Sequence, residues 1–126
     1  DPTLDAARLQ ARLEKRKAPI KQVLLDQSVV AGLGNIYAAE ALWHARIRPD
    51  TPAQQLSRKR VDRVLAGIRW TLGLAFERMG RHQYGEETDR FAVYDREGLP
   101  CLRCGSRVAR IPQGQRSTYF CRRCQL

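Results

Sequence analysis

The chain has 126 residues, of which 43% are hydrophobic and 29% are charged, and this fits one compact domain or a helical body with a small appendage. That length excludes a large two-domain enzyme. Lys and Arg number 23 against 13 Asp and Glu, and the net charge of +10 favours polyanionic partners. No apolar run approaches the ~20 residues that cross a bilayer, so we expect a soluble intracellular chain without membrane contact. The missing initiator Met indicates a processed chain or a fragment.

Two helices are predicted within the first 25 residues. Residues 4–15 have a helical pattern, and Pro19 suits the first turn of a second helix over residues 20–25. Lys21 lies in that second helix. Its local sequence fits a solvated lysine as well as an anion contact.

A glycine turn is predicted between residues 29 and 35. Gly32 and Gly34 give a tight turn, and Asn35 is expected to be the N-cap of a new helix that contains residues 36–42. The N–H groups and dipole at such a helix start form an anion site. A plain corner between two helices is the alternative, because the third glycine of a dinucleotide fingerprint is absent. Glu40 is expected to pair with a basic neighbour or to orient the turn.

The strongest helical period lies in the middle of the chain. Ser57 is the predicted N-cap of this helix and Gly80 its C-terminal stop, with Trp70 expected in the core. The apolar positions recur at three- and four-residue steps and are Leu56, Val61, Val64, Leu65, Ile68, Leu72, Ala75 and Phe76.

All four cysteines lie in the last 26 residues. Cys101 and Cys104 form one C-x-x-C pair, Cys121 and Cys124 form another, and 16 residues separate the pairs. This spacing is typical of a four-thiolate site for one structural zinc ion, which leaves no open position for water or substrate. Two disulfides or a redox pair are the alternatives, and the intracellular character of the chain favours zinc.

The residues between the cysteine pairs predict a β-hairpin. Residues 107–111 and 116–120 are the predicted strands, and residues 112–115 are the turn. The tail has six Arg and no acidic residue, so the hairpin is expected to be basic. Either a solvated face or a nucleic-acid contact explains that charge. Four cysteines fill the metal site, so His44 and His82 are expected at the surface or in helix packing.

Two parts of the sequence resemble one known family. The run from Leu24 to Leu42, preceded by Ile20 and Lys21, closely resembles the helix-two-turns-helix motif of the formamidopyrimidine-DNA glycosylase and endonuclease VIII family. The segment from Gly98 to Gln125 resembles the C-terminal zinc finger of the same family. The two motifs occur in the family's order, and the resemblance covers the chain from about Asp5 onward.

The resemblance implies a DNA-gripping role in base-excision repair. It implies that Gly34 and Asn35 of the turn, Arg116 of the finger and Lys21 bind DNA phosphates around a flipped nucleotide. The implied partners are double-stranded DNA with an oxidised or abasic site and an upstream catalytic domain. The whole protein would be a bifunctional glycosylase and abasic-site lyase, monomeric and located in the cytoplasm at the nucleoid.

The family's catalytic start has no counterpart in this sequence. Its members attack the sugar with an N-terminal proline amine followed by a glutamate, whereas this chain begins Asp1-Pro2. No sequence feature indicates a lowered lysine pKa, so no catalytic residue is predicted in the chain. The lysines are Lys15, Lys17, Lys21 and Lys59. We therefore interpret the chain as the C-terminal, DNA-binding half of such an enzyme.

The predicted fold is mainly α: a helix-two-turns-helix body over residues 1–90, followed by a four-cysteine zinc β-hairpin over residues 91–126. Residues 79–89 are shorter than the loop that closes over the base in the oxidised-purine branch of the family. The turn and the finger nevertheless resemble that branch, so oxidised purines are the expected substrates. A stand-alone, non-catalytic zinc module that binds nucleic acid is the alternative, and a protein-interaction domain that uses Trp43 or Trp70 is a weaker one.

Overall fold

The computed structural model of the chain describes residues 4–80 and 91–126, with the side chains of 74–80 outside the description. In these residues, four α-helices precede a two-stranded hairpin: α1 (Ala6–Leu13), α2 (Ile20–Leu24), α3 (Asn35–Ala45) and α4 (Arg58–Gly80), then β1 (Ala109–Gln113) and β2 (Arg116–Phe120). A short 3₁₀ helix spans Ala53–Gln55. The predicted fold class, a helical body followed by a small cysteine-bearing hairpin, is confirmed. No helix of the described part is long and apolar enough to span a membrane.

Helices α1 and α4 each begin after a residue whose side chain satisfies one of their first N–H groups. Asp5 caps α1 by accepting from the N–H of Arg8 at 2.8 Å, and Ser57 caps α4 by accepting from the N–H of Arg60 at 3.3 Å. The Ser57 prediction is therefore confirmed, and α4 is described as far as Gly80, so its predicted stop there stays a prediction. Pro19 is the N-cap of α2.

The hydrophobic core lies between α1, α3 and α4. The predicted apolar positions of α4 from Val61 to Ile68 are buried, Leu72 packs against the same cluster, and Trp70 is half-buried. The side chains of Ala75 and Phe76, and the predicted short loop with His82, lie outside the described residues. Helices α3 and α4 touch backbone to backbone at Gly67, where an added Cβ would lie 2.3 Å from the carbonyl oxygen of Ala41.

The hairpin differs slightly from its prediction. The first strand is Ala109–Gln113 rather than 107–111, and it pairs with β2 in antiparallel register from Ala109–Phe120 to Gln113–Arg116. The predicted four-residue turn was therefore too long, because Pro112 and Gln113 still belong to the ladder. Gly114 begins a two-residue turn with φ of +62°, a conformation that glycine adopts without strain.

Candidate metal centre and nucleic-acid interface

The four cysteine sulfurs converge on one point. All lie within 4.8 Å of one another, with Cys101 and Cys124 3.7 Å apart and Cys104 and Cys121 3.5 Å apart. Tetrahedral zinc with Zn–S bonds of ~2.3 Å places its sulfurs about 3.8 Å apart. The cysteines are free thiols rather than disulfides. The geometry therefore fits one structural zinc ion, as the spacing predicted.

The surroundings of the sulfurs favour ionised thiolates on one side of the site. Burial raises the pKa of the Cys101 thiol, but hydrogen bonds from Trp43 and from the backbone N–H groups of Arg103 and Cys104 outweigh burial and lower it to about 6. Burial raises the pKa of Cys121 to about 12. Such a thiol needs a metal ion to ionise at neutral pH, and this suits a zinc ligand.

Two residues that the sequence reasoning missed join the metal centre to the helical body. Gln125 is fully buried, and its amide accepts from the N–H of Cys121 at 2.8 Å and donates to the carbonyl of Ile47 at 2.9 Å. Trp43 of α3 donates from its indole nitrogen to Cys101 Sγ at 3.4 Å. The second cysteine pair therefore docks on the segment after α3, and the first pair docks on α3 itself.

The start of α3, at the opposite end of the helix from Trp43, faces an open cavity. The cavity is lined by Gly34, Asn35, Ile36, Tyr37, Tyr94 and Arg116. Within the described part of the chain, the backbone N–H groups of Asn35, Ile36 and Tyr37 have no acceptor, as is usual in the first turn of a helix. These N–H groups and the helix dipole make the cavity suitable for an anion.

Asn35 is not the N-cap of α3, and that prediction was wrong. The N-cap is Gly34, and Asn35 is the first helical residue. Its side chain turns toward the hairpin instead: Oδ1 accepts from Lys21 Nζ, and Nδ2 donates to the carbonyl of Ser117 at 3.4 Å. The Asn35 amide is not available to cap α3, because it is hydrogen-bonded to Lys21 and to the hairpin.

Gly34 and Gly32 are glycines for different reasons. Gly32 has φ of +82°, so any other residue would be strained there. Gly34 has φ of −91°, and an added Cβ would meet no atom within 4 Å. The fold itself therefore tolerates a side chain at Gly34, and only a molecule in the cavity would be obstructed by one.

Lys21 is fully buried, which excludes the solvated lysine that the local sequence also allowed. Its ammonium group donates to Asn35 Oδ1 and, at 2.7 Å, to Thr118 Oγ1 of β2. Burial and the positive charge of Arg116 lower its pKa to about 8. No feature of the sequence had indicated this lowered pKa. Lys21 nevertheless lacks access to a sugar carbon, because its amine is enclosed by those two partners.

Arg116 adds an exposed cation to the cavity. Its side chain is exposed, and it has no carboxylate partner within the described residues. The Lys21 and Arg116 charges come from α2 and β2, which the chain order separates widely, and an anion in the cavity would relieve their repulsion. The structure thus brings together all four residues that the resemblance implied: Lys21, Gly34, Asn35 and Arg116.

Glu40 holds one wall of this cavity rather than pairing with a basic neighbour. Its buried carboxylate accepts three backbone N–H groups, from Ala92 at 2.6 Å, Val93 at 2.9 Å and Tyr94 at 3.0 Å. These bonds fix the segment that carries Tyr94. The sequence could not reveal this role, because backbone N–H donors are present at every position except proline.

The sequence matches two family models, described as the formamidopyrimidine-DNA glycosylase H2TH domain over residues 1–84 and as the zinc finger found in FPG and IleRS over residues 98–126. Among curated proteins, the formamidopyrimidine-DNA glycosylase of Chloroflexus aurantiacus is 47% identical over 94% of the chain, and that of Thermomicrobium roseum is 44% identical over 99%. The chain covers 46% and 47% of these relatives. It therefore spans about half the length of the curated relatives it matches.

Solved structures with the same fold include a protein in complex with DNA. The MutM (Fpg) protein of Thermus thermophilus superposes with a TM-score of 0.83 and 36% identity, over 96% of this chain and 50% of that one. The Lactococcus lactis Fpg, solved in complex with DNA containing an abasic site, has a TM-score of 0.83 and 31% identity, over 97% of this chain and 47% of that one.

Proposed function

The chain belongs to the formamidopyrimidine-DNA glycosylase family, and from this premise we propose that it is the part of a base-excision-repair glycosylase that grips DNA around a damaged nucleotide. The observation that carries the proposal is the convergence of the α3 start, Asn35 and Arg116 on one cavity, with the buried charge of Lys21 behind it. Free N–H groups and cations are the donors that phosphates require.

The grip would act from two rigid elements at once. Helix α3 offers backbone N–H groups, β2 offers the Arg116 guanidinium, and the Lys21 bonds to Asn35 and Thr118 hold the two elements together. A duplex that is kinked at an extruded nucleotide presents neighbouring phosphates at a changed spacing, so fixed donors select the bent form over straight DNA. Zinc would supply rigidity to β2 and take no part in bond cleavage.

The whole protein would excise oxidised bases, with oxidised purines favoured, and nick the resulting abasic site. Support comes from the relatives' name and from a solved MutM, 33% identical to the chain, in complex with DNA containing carbocyclic 8-oxo-G. We further propose that the chemistry lies on an upstream domain and that the protein is a monomer in the cytoplasm. The alternative of a stand-alone zinc module would show no preference for damaged DNA.

Binding to a labelled duplex with one tetrahydrofuran abasic analogue, followed by fluorescence anisotropy, tests the grip. We expect Asn35→Ala and Arg116→Ala to weaken binding about tenfold each and to remove the preference over intact DNA, because charge-assisted bonds to phosphate contribute ~1.5–3 kcal/mol. Arg58→Ala is the matched control, since it removes one exposed charge at the start of α4, outside the cavity. Equal losses in all three variants would contradict the assignment.

Borohydride trapping on a natural abasic site tests where the chemistry lies. We expect no covalent adduct with this chain, because the amine of Lys21, whose pKa is lowered, is enclosed by Asn35 and Thr118. An adduct that persists in Lys21→Met would reveal another amine nucleophile in the chain. Either kind of adduct would contradict the proposed division between grip and chemistry.

A further inference from the structure

Trp43 connects the helical body directly to a metal ligand. Its indole Nε1 lies 3.4 Å from Cys101 Sγ and donates to it. Cys101 is 3% exposed, and its sulfur also accepts from the backbone N–H of Arg103 at 3.4 Å. Among the described residues, Trp43 is the one side chain of the helical body that donates to a cysteine sulfur.

Arg103 fixes the indole in this position from the other side. Its guanidinium carbon lies 4.1 Å from the centroid of a Trp43 ring, and Nη2 donates to the Trp43 carbonyl at 2.6 Å. Arg103 lies between the two cysteines of the first pair. Helix α3 therefore donates a hydrogen bond to a cysteine sulfur, and the cysteine turn donates one to a carbonyl of α3. The indole therefore has a defined orientation toward Cys101.

The charge of the loaded site explains what this bond would do. Four thiolates around one divalent cation carry a net charge of −2. Little water is available to solvate the negative charge on a buried thiolate. An N–H donor stabilises the electron-rich sulfur and orients it toward the metal. Loss of such outer partners typically weakens metal binding by ~10–100-fold.

We propose that Trp43 is a positioning residue of the zinc centre, whose indole N–H holds and stabilises the zinc-bound Cys101 thiolate and so retains the ion. This inference goes beyond DNA binding and does not depend on it. It also makes α3 a common support, with the anion cavity at its start and the zinc ligand near its end.

Zinc retention in the loaded chain provides the first test. Trp43→Phe keeps an aromatic ring under Arg103 but removes the N–H donor. We therefore expect the variant to bind zinc about tenfold more weakly than the parent chain, as measured by competition with a chromogenic chelator. Trp70→Phe is the matched control. That indole packs against His44 and Trp43, with ring centroids at 4.8 and 6.1 Å, and it has no hydrogen bond to sulfur within the described residues. Equal zinc affinity of the two variants would overturn the proposal.

Cobalt(II) substitution provides a readout that packing alone would not change. Removing a hydrogen bond raises the electron density on the Cys101 thiolate, so the sulfur-to-cobalt charge-transfer band of Trp43→Phe should move to lower energy, while that of Trp70→Phe stays in place. An unmoved band in Trp43→Phe, even with faster zinc loss, would reduce Trp43 to a packing role and overturn the proposal.

A second variant covers the case in which Trp43→Phe does not fold. Arg103→Ala keeps the indole N–H but removes the two contacts that orient it toward Cys101, so we expect the same band shift with smaller amplitude. Far-ultraviolet circular dichroism establishes that the variant is folded. A folded Arg103→Ala protein with the parental band would then contradict the proposal.

Discussion

The ammonium group of Lys21 lies in the protein interior, beside the positive charge of Arg116. Burial and this neighbouring charge lower its pKa to about 8, while the bonds to Asn35 and Thr118 keep the amine in place. An amine with a pKa of about 8 loses its proton as the pH rises through 8, and an adjacent phosphate would raise the pKa again. At the scale of the residue, Lys21 therefore couples proton uptake to the proposed binding of DNA.

This coupling predicts that DNA binding weakens as the pH rises through 8. One proton taken up on binding reduces affinity by at most tenfold per pH unit above the pKa of the free protein. We expect the dissociation constant for the abasic duplex to be about tenfold larger at pH 9 than at pH 7, as measured by anisotropy at constant ionic strength. Lys21→Met should bind weakly with little pH dependence. A flat profile for the parent chain would contradict the role of Lys21.

At the scale of the element, the contact between α3 and α4 sets the position of both functional ends of α3. Gly67 allows the two helix backbones to touch at Ala41, which lies between Asn35 at one end of α3 and Trp43 near the other. Only a residue without a Cβ fits this approach. The helix period of α4 identified its buried face, but the closeness of the partner helix could not be deduced from that period.

Gly67→Ala is therefore expected to destabilise the chain although alanine is the better helix former. The new Cβ would lie 2.3 Å from a backbone oxygen, so the helices must separate, at a cost of about 2 kcal/mol. Gly73→Ala in the same helix meets no atom within 4 Å and should stabilise by roughly 0.5–1 kcal/mol. Urea unfolding of the pair measures both values. Similar effects in the two variants would contradict the close contact.

At the scale of the whole molecule, the helical core and the metal centre are separate clusters. Among the residues that the structure describes, the core contains 20 buried residues, the first Leu4 and the last Ile68, and none of them belongs to the finger. The finger contains a small buried cluster of three cysteines and docks through Trp43, Gln125 and the Lys21 network. Metal binding must supply much of the folding free energy of so small a unit.

Removal of zinc by a chelator should consequently unfold the finger and leave the helices folded. We expect the helical circular dichroism to persist while binding of the abasic duplex falls to the level of Arg116→Ala, because β2 no longer holds Arg116 at the cavity. Restoring zinc should restore binding. Simultaneous loss of the helical signal would show that the finger is part of the core after all.

The sequence by itself determined the features that depend on local spacing. Two C-x-x-C pairs specify a tetrahedral thiolate site because each turn brings two sulfurs to one ion, and the apolar period of α4 specifies its buried face. The resemblance further selected Lys21, Gly34, Asn35 and Arg116. These predictions required no knowledge of how distant segments meet.

Only the tertiary structure decided how those features act together. Lys21 meets Thr118 across 97 positions of the chain and Trp43 meets Cys101 across 58, and neither pairing has a sequence period. Glu40 binds backbone N–H groups, which leave no trace in residue identity. Asn35 points toward the hairpin rather than capping its helix because Lys21 and Ser117 hold its amide. The sequence determines which donor, acceptor or ligand group stands at each position, whereas long-range packing determines which partner that group contacts.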